Sequence, residues 1–143
     1  MIGRIDGWEG DLLKALERWK GRAFDWGDAD CLLLCGDIVF ALTGQDLAAK
    51  YRGKYNSRTG AARLLPRGEG EGRVAALLDS HFKRCGVGFA RRGDIVFFPD
   101  AGDRLFRGCA APVDLSGRFA VVFEDGFLSR RKVSDASIAW RVG

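Results

Sequence analysis

The chain predicts an α+β fold in which N-terminal helices pack on a C-terminal antiparallel sheet or small barrel. Apolar residues recur at helical spacing through the first 85 positions, while short apolar runs closed by Gly, Pro and Asp take over after Gly86. With 143 residues, 47% of them hydrophobic and 29% charged, the chain is long enough for a sizeable core and reads as one domain over 1–143. Three stretches divide it: an N-terminal helix to residue 20, a helical half over 21–85 and a sheet half over 86–143.

Residues 6–20 predict an amphipathic helix. Asp6 is the expected N-cap, Glu9 falls at the capping-box position, Trp8, Leu12, Leu16 and Trp19 share a face, and Gly21 is the stop. A turn over 24–30 leads into a second helix, about 31–42, ended by Thr43-Gly44, with Asp28 or Asp30 as its N-cap. Leu32, Leu33, Leu34, Ile38, Val39 and Phe40 leave it almost no polar side, so it is expected to be the central buried helix. Residues 45–65 predict one or two short helices around Tyr51-Arg52-Gly53-Lys54-Tyr55, the second capped by Ser57 and burying Ala61, Ala62, Leu64 and Leu65. A Gly-rich loop over 66–72 precedes a helix over 74–85 with Val74, Leu77, Leu78 and Phe82 inward.

The strands follow. Asp94-Ile95-Val96-Phe97-Phe98 is a short apolar run closed by Pro99-Asp100, and 99–117 is loop-like with a short strand near 105–107. Residues 119–123 and 127–133 flank the hairpin signal Asp125-Gly126, and 138–142 is the last strand.

Net charge is +4 and the basic excess is spread over both halves. The clusters Arg91-Arg92 and Arg130-Arg131-Lys132 lack interleaved aromatics, which argues against nucleic-acid binding and for a solvated surface. No apolar run is long enough to span a bilayer, and Met1 to Asp6 lacks a signal-peptide pattern, so synthesis is expected in the cytoplasm. The pattern calls for no cofactor. Of the four cysteines, Cys31, Cys35, Cys85 and Cys109, only the first two are close, and the spacing matches no zinc or iron–sulfur pattern. Free thiols are the default reading, and a four-cysteine metal module is the weakest alternative.

Three landmarks stand in order: Phe24, Trp26 and Gly27 before Asp30-Cys31 at a helix start; Arg92-Gly93-Asp94 before an apolar strand; and Gly117-Arg118 opening a strand that ends in Asp125-Gly126. In this order they resemble the NlpC-type cell-wall cysteine peptidases, a papain-like fold, over about residues 20–143. The chain is most similar to a phage and prophage branch of that fold, through Thr43-Gly44-x-Asp46, Arg52-Gly53-x-Tyr55 and Ala139-Trp140-Arg141-Val142. The resemblance implies a tail-tip protein of a long-tailed phage or gene transfer agent, located in the virion. Its partners would be other tail-tip or hub proteins, with peptidoglycan as a further ligand.

The resemblance also implies that Cys31 is the nucleophile, with Trp26, Gly27, Asp30 and Arg118 around its cleft. Active peptidases carry a histidine at the position matched to Arg118. An arginine stays protonated and cannot act as general base. Small residues after the nucleophile are replaced by Leu32-Leu33, and the single histidine, His81, falls beside the apolar face of another helix. The expectation is therefore a peptidase-like scaffold with weak or no hydrolytic activity, used for assembly. An active peptidoglycan peptidase or amidase is the alternative. Each site residue also has a plainer reading: Cys31 as a buried helix-start cysteine, Trp26 as a packing anchor, Gly27 as a backbone necessity and Arg118 as an exposed strand-edge charge.

Overall fold

The computed structural model describes residues 3–143; Met1 and Ile2 of the N-terminal stretch read above lie outside the described residues. Its architecture is mixed α+β, with four α-helices followed by antiparallel strands. The helices are α1 (Trp8–Trp19), α2 (Cys31–Thr43), α3 (Arg58–Leu64) and α4 (Arg73–His81). The strands are β1 (Arg84–Cys85), β2 (Ile95–Phe98), β3 (Cys109–Pro112), β4 (Phe119–Glu124), β5 (Phe127–Lys132) and β6 (Ile138–Trp140). One sheet has the order β1-β6-β2-β3, and β4 and β5 form a separate hairpin, so the described strands do not close into the small barrel that was the other expectation.

The sheet is covered on both faces, which explains why Ile95–Phe98 reads as an unbroken apolar run instead of alternating. Ile95 and Phe97 face the helices with Leu34, Ile38 and Trp140. Val96 and Phe98 face the other way and join Ala111, Ala120 and Val122 under the hairpin. The helix α2 is the spine of the first layer. Asp30 caps its start by accepting from the Leu33 N–H, and Gly44 closes its end in the left-handed conformation. Its burial is not complete: Phe40 is 53% exposed. The Trp19 indole N–H donates to Asp37 at 2.7 Å and fastens α1 to α2.

Several local expectations shift. Gly7, not Asp6, stands at the start of α1, with a positive φ and no side-chain cap. Ser57 does cap α3, accepting from the Gly60 N–H at 3.0 Å, but Leu64 points outward. The helix expected over 74–85 ends at His81, because Arg84 and Cys85 pair with Trp140 and Ala139 as an edge strand. Residues 104–106 form a 3-10 turn, and the strand of this region is four residues later, at Cys109–Pro112. Its Cys-Ala-Ala-Pro sequence has almost no β-propensity; it is held by pairing with β2 and by its place beside α2.

The Gly93-Asp94 landmark has a structural role. The Asp94 side chain is fully buried and accepts from the backbone amides of Arg91 (2.8 Å) and Val142 (2.9 Å) and from the Arg4 guanidinium (3.0 Å). Arg4 also donates to the Val142 carbonyl at 2.8 Å. Gly93 sits at φ +83°, where a Cβ would come within 2.5 Å of Leu42. This clasp accounts for part of the terminal Ala-Trp-Arg-Val signature, and Trp140 adds a hydrogen bond from its indole to Asp79 at 2.9 Å.

Candidate functional site

The loop before α2 is a compact turn. The Asp25 and Ala29 amides and carbonyls pair across it, and Gly27 takes φ +81°. A Cβ on Gly27 would lie 1.8 Å from the Tyr55 carbonyl oxygen, so glycine is required by space as well as by conformation. The Gly53 N–H donates to the Gly27 carbonyl at 3.0 Å. This is how the Arg52-Gly53-x-Tyr55 tag and the Trp26-Gly27 landmark meet: one forms the seat of the other. Arg52 itself turns away and makes a two-pronged ion pair with Asp46 at 3.0 and 3.1 Å.

Asp30 is the polar centre of this turn and is 1% exposed. Its carboxylate accepts from the Leu33 and Gly27 amides, each at 3.0 Å, and from the Tyr55 hydroxyl. Burial, and then the Asp30 charge, raise the Tyr55 hydroxyl far above the ordinary phenol range, so it remains a donor.

Cys31 begins α2 at the floor of a cleft of about 530 Å³. Phe24, Trp26, Phe106 and Phe123 form its aromatic wall. Phe24 meets Trp26 and Phe123 edge-on, at ring separations of 4.8 and 5.3 Å. Asp100, Asp103, Glu124 and Asp125 stand at its polar side with one cation, Arg131. That cation is already engaged, donating to both oxygens of Asp100 at 2.9 and 2.8 Å and lying 3.2 Å from Glu124.

The thiol of Cys109, at the first position of β3, shares this cleft with Cys31, which packs against its cluster. The Cys31 thiol is pushed well above its ordinary range. Interaction with the Cys109 thiol is the largest cause, followed by burial and by the Cys109 and Asp30 charges; the Ala110 backbone pulls weakly the other way. A helix N-terminus normally favours an anion, but here the Asp30 carboxylate already fills that role, and a thiolate would be a second negative charge beside it. Cys35, one turn deeper, is buried, and burial likewise raises its thiol.

Trp26, Asp30 and Cys31 thus line one cleft, and Gly27 shapes its turn. Arg118 does not belong to it. It is exposed, and it lines a separate hollow with Val87, Phe119 and Lys132. The strand that packs against α2 beside Cys31 is β3, one strand earlier than the Gly117-Arg118 landmark indicated, so Cys109 and not Arg118 lines the cleft with Cys31. Composition concealed this, because small residues and a proline look like loop. The one usable signal was the need for small side chains where a strand approaches a helix closely. His81 ends α4, exposed, against a different hollow. The four cysteines do not converge either, since β1 and β3 are opposite edges of the sheet. Among the described residues no group of three or more metal-ligating side chains is assembled, and no helix is long and apolar enough to cross a membrane.

Residues 3–142 match the model of a family described as a domain of unknown function, DUF6950. No curated protein matches the sequence.

Proposed function

We propose that the chain, which belongs to the DUF6950 family, serves as a non-catalytic assembly subunit of a phage tail tip, built on a papain-like scaffold of the NlpC type. One observation supports the non-catalytic reading: Cys31 shares its cleft with a second thiol, Cys109, and the cleft lining holds no imidazole. Cysteine peptidase chemistry needs a group that takes the thiol proton and later returns it to the leaving amine. A second thiol is a proton donor and not an acceptor of that kind, and the carboxylate nearest Cys31 is committed to two backbone amides and Tyr55. The tail context is supported by the order of the three sequence landmarks. The aromatic cleft, the loop over 66–72 and the exposed part of 99–117, residues 99–105, are the surface offered to neighbouring tail proteins.

Two measurements test this. Purified protein incubated with peptidoglycan sacculi should release no muropeptides, and Cys31→Ala should behave identically; release that the variant abolishes would establish the enzyme instead. Mass spectrometry of purified tailed particles from a strain carrying the coding sequence should find the chain in stoichiometric amount. Its absence from the particles would sink the virion assignment. The placement of Cys31 at the head of a helix in an open cleft is the observation that keeps the peptidase reading worth this assay.

A further inference from the structure

We propose that Cys31 and Cys109 form a dithiol site at the floor of the cleft that closes into an intramolecular disulfide when an oxidant of the peroxide class enters. The inference does not depend on the tail assignment. It rests on the cleft that the two thiols share, on their positions and on the isolation of the other two cysteines.

Both thiols line the cleft, and Cys31 packs against the buried cluster that contains Cys109. Each is mounted on a regular element, Cys31 at the first position of α2 and Cys109 at the first position of β3. Because α2 packs directly against β3, closing to a sulfur–sulfur bond of about 2 Å needs side-chain rotation more than backbone movement. Their exposure sets an order of events. Cys31 is half-buried at the cleft floor, while Cys109 is only 2% exposed. An entering oxidant meets Cys31 first.

The chemistry balances. The Cys31 sulfur attacks the peroxide O–O bond and becomes a sulfenic acid; the displaced hydroxide takes the Cys31 thiol proton and leaves as water. The Cys109 sulfur then attacks the Cys31 sulfur, the S–O bond breaks, and the departing hydroxide takes the Cys109 proton as a second water. Two electrons pass from the thiol pair to the peroxide. No base stands beside the pair, so the first step is slow at neutral pH and accelerates as pH rises. The competing partners are poorly placed. Cys35 is a turn deeper in the same helix, and Cys85 is on the opposite edge of the sheet.

The test uses the full chain, dilute, treated with hydrogen peroxide, then denatured, alkylated and mapped by mass spectrometry. The expected result is loss of two of the four free thiols, a Cys31–Cys109 cross-link reversed by dithiothreitol, and a rise in Tm of about 5–10 °C. In Cys109→Ser, Cys31 should accumulate as a dimedone-reactive sulfenic acid with no cross-link. In Cys31→Ser, Cys109 should remain unmodified at the same dose. Four free thiols in the treated parent chain, a cross-link that joins Cys35 or Cys85, or oxidation of Cys109 in Cys31→Ser would each overturn the proposal. If a variant loses its fold by circular dichroism, the cross-link map of the parent chain decides alone.

Discussion

Asp30 shows how one residue can hold a whole turn in shape. Its two oxygens bind the amide that opens α2, the amide of the turn before it and the hydroxyl of a distant tyrosine. Each bond is buried, so each removal leaves an unmatched polar atom. Tyr55→Phe should cost about 1–2 kcal/mol in urea unfolding, because the carboxylate keeps two of its three donors. Gly27→Ala should cost more, above about 2 kcal/mol, since the new methyl would overlap the Tyr55 carbonyl and the positive φ disfavours any side chain. If the two variants rank the other way, the turn is not seated on Tyr55 as described.

At the scale of elements, the helices were more legible than the strands. The α2 boundaries, its aspartate cap and its terminal glycine all follow from local chemistry, as does the Ser57 cap of α3. The strand β3 was hidden because what makes it a strand is non-local: ladder bonds to β2 and a close helix behind it. The site inherited that error. Cys31 and its turn could be read from the sequence, but the residue opposite could not, since it depended on which segment became the neighbouring strand. The Asp94 clasp was also beyond local reading, because its partners lie at positions 4, 91 and 142. Asp94→Ala should destabilise by about 3–5 kcal/mol, by stranding the buried Arg4 and two amides. Arg4→Ala should cost clearly less, because Asp94 would keep both amides and the nearby Arg141, 3.5 Å away. Chemical denaturation of the pair checks the order, and equal losses would show that the carboxylate does not organise the junction.

For the whole molecule, three buried protons point to one behaviour. Cys31, Cys35 and Tyr55 all have folded-state pKa values above their ordinary ones. The stability this contributes is complete below the unfolded thiol range and is lost as pH rises, because the unfolded chain releases protons that the folded chain holds. Unfolding midpoints under reducing conditions should therefore be flat to about pH 8.5, fall above it by up to about 1.4 kcal/mol per pH unit for each thiol, and steepen beyond about pH 10 as tyrosine joins. Cys35→Ala should reduce the slope between those limits by about half. An unchanged slope would mean that this thiol is not buried in the protonated form.

The junction at Asp94 has a further consequence for how the chain is threaded. Since Arg4 bonds directly to the carbonyl of Val142, a bridge of a few residues could splice head to tail, and new ends could be opened between Lys20 and Gly21, in an exposed turn where added atoms meet open space. Such a circular permutant should fold with a cooperative transition close to that of the parent, as thermal melts would reveal. If it emerged molten, the order in which the helices leave the chain's beginning would prove as necessary as the contacts they end in.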